Sequence, residues 1–318
     1  MTYPREVRIR EVGPRDGIQS EKADVPTSKK VELIDALSRT GLRYIEAVSF
    51  VSPKALPQMA DAAEILQKID RRAGVFFSAL VPNRKGAELA AGAGVDGMQV
   101  FIAASESYNL SNVRKRVEES IADVAEVVTI AGRAQVPVEG TISTAFGCPY
   151  EGDVSPERVA QVARWMMDSG IDTISFGDTT GMGTPRRVRA VVETLKSELP
   201  KLKLNMHFHD TRGTGLANVV TALELGVDYF DASIGGMGGS PFATGATGNI
   251  ATEDLVHMLS DMDIATGVEL EPLIAVARLA QDLVTGELPS KMLRAGPRNR
   301  VAGPITTPGG SPQPVSKV

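Results

Sequence analysis

Two textures of apolar and polar positions alternate along the chain. It opens on VRIREV, where apolar residues recur every second position, and continues into SKKVELIDALSRTG, where Val31, Ile34 and Leu37, with Leu33 beside them, share one face at a helical period. The first run reads as a strand and the second as a helix. The pairing recurs with YIEAVSF and 61–70, VFFSALV and 83–93, GMQVFIAAS and 111–134, VPVEGTIST and 156–169, TISFGDT and 185–198, KLNMHFHD and 214–225, and YFDASIGG and 251–262. Ser155-Pro156 and Thr184-Pro185 have the form of an N-cap followed by a first-turn proline, and Gly41, Gly170 and Gly226 stand where C-terminal caps belong. Eight such units predict an α/β fold, a (β/α)8 TIM barrel in preference to an open doubly wound sheet, although periodicity alone does not separate a closed ring from an open one. A further amphipathic helix is expected over 270–286, and the Pro/Gly-rich end, residues 303–318, reads as a flexible, disordered tail. The expected organisation is one catalytic domain over 1–290.

Composition narrows the function classes. With 318 residues, 42% of them hydrophobic, the chain can bury one large core. A formal net charge of -5 argues against a broad nucleic-acid or membrane surface, which needs clustered Lys and Arg. No stretch reaches the ~20 apolar residues of a membrane span. The single cysteine, Cys148, cannot form an internal disulfide, and MTYPREVRIREV has neither a signal-peptide core nor an Arg/Ser-rich transit segment, so a cytoplasmic protein is expected. There the sequon at Asn109 is coincidence, and Ser316-Lys317-Val318 is a loose end and not a targeting signal.

In a barrel of this kind chemistry sits at the C-terminal ends of the strands. The polar residues falling there are Arg15 and Asp16 after the first strand, Glu46 and Ser49 in the second, Cys148 after the fifth, and Asp178 and Thr179 closing the sixth. His207, His209 and Asp210 close the seventh, and a Gly-rich segment holding Ser240 leads from the eighth to Asn249. His207 and His209, two apart on a strand, point to one face, with Met206 and Phe208 on the other. An isolated H-x-H fits a pair of buried, hydrogen-bonded histidines equally well. A metal is favoured because two of only three histidines lie here, with an acidic residue at another strand end. Two imidazoles, one carboxylate and an amide oxygen, without thiolate, suit Mg2+ or Mn2+ ahead of Zn2+ or Co2+. Arg15 would then be a fixed positive charge for an oxyanion that the metal also polarises. Residues 235–248 lack a P-loop ending and a dinucleotide spacing, so they read as a lid, while Arg114-Lys115-Arg116 reads as a solvated helix face and His257 as a surface or packing residue.

Six segments, EVGPRDGIQSEK, IEAVSFVSPKALPQMAD, FGCPYEGDVSP, SFGDTTGMGTP, HFHDT and GGMGGSPFATGATGNIATEDLVHML, together closely resemble the 3-hydroxy-3-methylglutaryl-CoA lyases, TIM-barrel metal-dependent carbon-carbon lyases, over about residues 6 to 290. The resemblance implies a divalent metal, Mg2+ or Mn2+, on Asp16, His207, His209 and Asn249, with Arg15 at the enolate oxygen of an acyl thioester. It implies further catalytic residues at Glu46, Asp178 and Ser240, and contacts to substrate or CoA from Ser49, Asn112 and Thr179. The expected partners are an acyl-CoA and a second copy of the chain as a homodimer. The chain departs from the family at Ser240-Pro241-Phe242, where the lyases read Cys-Pro-Tyr, at Arg212-Gly213-Thr214, where they carry a Tyr and a Gln, and at Arg114, where an Asn-x-Asn loses its second Asn. The departures leave open a lyase of another 3-hydroxyacyl-CoA and a catalytically silent acyl-CoA binder. The His-His-carboxylate set also fits an Fe(II) oxygenase, against which the eight βα units and the amide ligand weigh.

Overall fold

A computed structural model of the chain describes residues 3–21, 24–239 and 248–298. Eight strands, β1 (Arg8–Glu11), β2 (Tyr44–Ser49), β3 (Phe76–Leu80), β4 (Gly97–Ala103), β5 (Val138–Ser143), β6 (Thr173–Gly177), β7 (Lys203–His207) and β8 (Tyr229–Ala232), follow one another around a closed barrel. All neighbours are parallel, and β1 pairs with both β2 and β8, which settles the ring against the open sheet. Helices α1 (Thr27–Ser38), α2 (Ala62–Lys68), α3 (Arg84–Gly92), α4 (Glu106–Val113), α5 (Val117–Ala134), α6 (Pro156–Asp168), α7 (Pro185–Glu198) and α8 (Gly215–Glu224) connect the strands, and α9 (Thr252–Asp261), α10 (Leu270–Gln281) and α11 (Lys291–Ala295) follow β8. Among the described residues no helix is long and apolar enough to cross a membrane.

In α6 the local causes are plain. The Ser155 side chain accepts from the Arg158 N–H, Pro156 takes the first turn, and Val159, Ala160, Val162, Ala163 and Met166 form the buried stripe. Gly170, at φ +101, then turns the chain toward β6 in a conformation only glycine adopts without strain. The apolar core lies between ring and helices, where Phe77, Ile142, Ile174, Phe176, Met206 and Phe230 leave the strands outward and Phe208 joins them just past β7. The opposite phase of the strands lines the ring, and it is polar. Arg10 on β1 bonds Glu139 on β5 and Asp231 on β8, contacts that only the barrel interior allows.

Two expectations need correction. The helix expected over 111–134 is two helices, α4 and α5, separated by Arg114 at φ 60, so Arg114-Lys115-Arg116 is a linker and not a helix face. The cause is Asn109. Its buried amide donates to the Lys115 carbonyl (2.9 Å) and the Ser120 hydroxyl (2.8 Å) while its oxygen accepts from the Ala103 N–H (3.0 Å), folding the linker back against β4. The helix expected over 270–286 stops at Gln281, and α11 follows because Asp254 accepts from the N–H groups of Lys291 and Met292. The tail, 303–318, lies outside the described residues.

Candidate metal centre and active site

Past β1 the chain makes one π-helical turn, Gly13–Gly17, in which the N–H groups of Arg15 and Asp16 both donate to the Val12 carbonyl. A Cβ on Gly13 would stand 2.7 Å from Glu11 Oε1, so only glycine allows the turn to fold so tightly over β1. The turn presents Arg15 and Asp16 at the mouth of the ring. There Arg15 Nη1 donates to Asp16 Oδ1 (2.7 Å) and Nη2 to Glu46 Oε2 (2.6 Å), so one guanidinium bridges the first two strands. Asp16 Oδ2 accepts from Asn249 Nδ2 at 2.8 Å.

His207 is the last residue of β7, whereas His209 lies beyond the strand's end, in an antiparallel bridge to Asn249. That bridge brings in Asn249: the Ile250 N–H donates to the Phe208 carbonyl (3.1 Å) and the Asp210 N–H to the Gly248 carbonyl (2.9 Å). Gly248 has φ +97, and a Cβ there would fall 2.0 Å from the Gly238 carbonyl oxygen, so the Gly-rich segment crosses itself at its base where only glycine fits. Ser240, like the rest of 240–247 expected as a lid, lies outside the described residues.

Ligand atoms of Asp16, His207 and His209 all lie within 4.8 Å of one another. The two Nε2 atoms face each other at 3.1 Å, and His209 Nδ1 is buried without a partner. Two imidazole lone pairs and a carboxylate converging on one point fit a divalent cation, so these residues suit the metal. Asn249, in turn, meets Asp16 through its Nδ2. Burial disfavours the Asp16 carboxylate, but Arg15, the two histidines and Asn249 outweigh it and hold its pKa below the ordinary value. His209 is pushed down to about 3 by burial and by the charge of His207. His207 is raised despite its burial, through the hydrogen bond and charge of Asp231 and the charge of Asp16.

Asp178 is buried just past β6, with Oδ1 accepting from the Gly183 N–H (2.8 Å) and Oδ2 unpartnered, and burial lifts its pKa to about 7. The loop that cradles it is held by Arg212, whose Nη1 donates to the Thr180 and Gly181 carbonyls (2.8 and 2.9 Å), and by Thr214, whose hydroxyl donates to the Gly183 carbonyl (2.9 Å). These two departures from the family pattern therefore clamp a loop. Ser49 is buried with its hydroxyl unpartnered, as is Glu46 Oε1. Thr179 accepts from the Thr144 N–H (3.1 Å), and Asn112 is exposed on α4, with no bond among the described residues tying it to the cluster. Cys148 packs with Ala103 and Tyr108, and His257 is half-buried on α9.

Four charged residues are not among the polar groups expected at the strand ends: Arg10, Asp231 and Glu139 below the cluster, and Glu11, whose carboxylate accepts from Gly13, Ile234 and Thr252 at 2.6–2.8 Å. A signal was present: Arg10 and Asp231 occupy the inward phase of their strands, two positions from Arg8 and Ser233.

The HMGL-like family pattern matches residues 6–280. A hydroxymethylglutaryl-CoA lyase of Bacillus subtilis is 46% identical over 294 residues, covering 92% of this chain and 98% of that protein. A 3-hydroxy-3-isohexenylglutaryl-CoA/hydroxymethylglutaryl-CoA lyase of Pseudomonas aeruginosa is 46% identical over 274 residues, 86% of this chain and 91% of that one. The solved structure of an HMG-CoA lyase from Acinetobacter baumannii in complex with coenzyme A and 3-methylmalate superposes with a TM-score of 0.90 at 40% identity, over 96% of this chain and 100% of that one.

Proposed function

The chain belongs to the HMGL-like family, and from that premise we propose that it is a divalent-metal-dependent lyase cleaving 3-hydroxy-3-methylglutaryl-CoA, or a close relative, to acetyl-CoA and acetoacetate. The observation that carries the reading is the convergence of Asp16, His207 and His209 beside the Arg15 guanidinium. Those three residues, with Asn249, would hold Mg2+ or Mn2+. When bound, the ion supplies a Lewis acid for the substrate's hydroxyl and a carboxylate oxygen. Cleavage breaks the C2–C3 bond: the tertiary hydroxyl loses its proton and becomes the ketone, and the bond's electrons pass to the thioester enolate, whose carbon is then protonated. Arg15, fixed by Glu46, neutralises the enolate oxygen. Asp178, with its pKa near 7, is suited to hold and release a proton near neutral pH. Ser49, Asn112 and Thr179 are assigned to contacts with substrate or CoA, and Ser240 to catalysis. A homodimer, a cytoplasmic location and one catalytic domain over 1–290 belong to the same proposal; light scattering of the purified chain checks the dimer.

A different C3 substituent is the second reading, favoured by the Pseudomonas relative's two named substrates and by the departures at Ser240 and Phe242. A mass-spectrometric screen of 3-hydroxyacyl-CoAs with Mg2+ or Mn2+ tests both. Acetyl-CoA release is expected, and binding without product would establish a silent acyl-CoA binder instead. Ser240→Cys separates the substrates. A loop that merely slows proton transfer gains kcat on 3-hydroxy-3-methylglutaryl-CoA, by up to the roughly 10²- to 10⁴-fold that a positioned acid or base contributes. A site shaped for another acyl group gains little there and loses rate on its own substrate.

A further inference from the structure

We propose that Asp231 is the positioning residue of the metal centre, fixing the His207 ring and the proton of its neutral form on Nδ1 so that Nε2 is the atom offered to the ion. The inference rests on the metal reading above and adds which histidine is preset and by what.

Arg10, Asp231 and His207 stand opposite one another on three consecutive strands: Arg10 is the register partner of Asp231 between β1 and β8, and His207 is its partner between β7 and β8. Side chains at paired positions of parallel strands leave the sheet on the same face, here the interior. The Arg10 fork meets the carboxylate with both arms, Nε to Oδ1 at 2.8 Å and Nη2 to Oδ2 at 2.9 Å. Asn205 Nδ2 adds a bond to Oδ1 (2.7 Å) and the Ser175 hydroxyl one to Oδ2 (2.9 Å). A carboxylate gripped by a permanently charged guanidinium and two further donors is ionised and can only accept. His207 Nδ1 lies 3.2 Å from Oδ2, so that nitrogen carries hydrogen. A neutral imidazole has one such hydrogen, and Nε2 is left as the lone pair facing His209 and Asp16.

His209 lacks this support. Among the described residues its Nδ1 is buried without a partner, and the chain holds it through the backbone bridge to Asn249. The two histidines are therefore unequal. His207 arrives with tautomer and orientation set, and His209 selects its tautomer when the ion binds.

The test uses the full chain, stripped of metal, with Mn2+ as the probe. Asp231→Asn keeps the shape but lets the amide present either N–H or C=O to the ring, so both tautomers become permitted. Because that variant takes from buried Arg10 one of its two counter-charges and leaves it Glu139, Arg10→Met combined with Asp231→Leu removes the Arg10–Asp231 pair together. Ser175→Ala, which takes a different donor from the same oxygen, is the control. In the folded double variant the Mn2+ Kd, read by electron paramagnetic resonance, should rise about 10- to 100-fold, the usual cost of losing such a partner, while Ser175→Ala stays near wild type. Ring-nitrogen NMR of the metal-free wild type, at a pH where the ring is neutral, should show Nδ1–H on His207, and the variants should lose that preference. With three histidines in the chain the ring signals are assignable. A wild-type ring protonated on Nε2, or a folded double variant with the wild-type Kd, overturns the inference alone. Failure of the wild-type chain to bind Mn2+ overturns the metal reading and this inference with it.

Discussion

Arg15 holds two carboxylates with one guanidinium, Asp16 through Nη1 and Glu46 through Nη2, and its exposure is low enough that neither bond is made in bulk water. That geometry separates its role from metal binding. Asp16 keeps Asn249 and the two histidines around it when Arg15 is removed, so Arg15→Ala should retain the metal and lower kcat by about 10²- to 10³-fold, the cost of deleting one oxyanion donor. Steady-state kinetics with metal analysis checks this, and a change in KM alone contradicts the role. His207→Ala should instead lose both metal and activity. The candidates at strand ends were legible residue by residue because side-chain chemistry is written in the chain. The partners were not: the local pattern of GPRDG fits any surface turn, and Glu46 lies thirty-one positions away.

At the scale of elements, α9 begins with a buried acid. Glu253 accepts from the Gly235 N–H through both oxygens (3.1 Å), tying the helix to the 3-10 turn Ile234–Gly236 that follows β8. Burial raises its pKa from 4.5 to about 7, against opposing hydrogen bonds. The folded chain thus keeps a proton that the unfolded chain releases near 4.5. The stabilisation is full below that pH and is lost as pH climbs through about 7. For a shift of this size the loss is about 3 kcal/mol. Denaturant titrations of wild type and Glu253→Gln at pH 5 and pH 8 should show the wild type losing that much relative to the variant, and parallel pH profiles would refute the assignment. The break between α4 and α5 gives a second element-scale expectation. Asn109→Ala strands the Ala103 N–H and the Lys115 carbonyl and should cost about 1–3 kcal/mol in the same titration. The sequence showed a helical period on both sides of residue 114 but not the interruption, since the buried amide responsible reads locally as an ordinary helix residue.

For the whole molecule, closure of the ring is what assembles the candidate metal centre. Its residues come from the turn after β1, the end of β7 and the segment after β8, and they meet only in the folded chain. A ligand bound by the native state alone stabilises it by about 2.7 kcal/mol at one hundred times its Kd. Chelation should therefore lower the Tm, and Mn2+ or Mg2+ should restore it in wild type but not in His207→Ala. Calorimetry with and without chelator is the measurement, and identical Tm values would count against the centre.

By itself the sequence determined the eight βα units, the positions of their caps and the strand ends at which chemistry collects. Those follow from periods of two and 3.6 residues and from the side chains themselves, all local properties of the covalent chain. Only the tertiary structure decided that β8 returns to β1, that Asp231 stands beside both Arg10 and His207, and that Arg212 and Thr214 clamp the loop of Asp178. Arg10 and Asp231 are separated by 221 positions, and no periodicity relates residues so far apart. An open sheet and a closed ring share one local pattern, and what distinguishes them is which distant groups lose water together against each other.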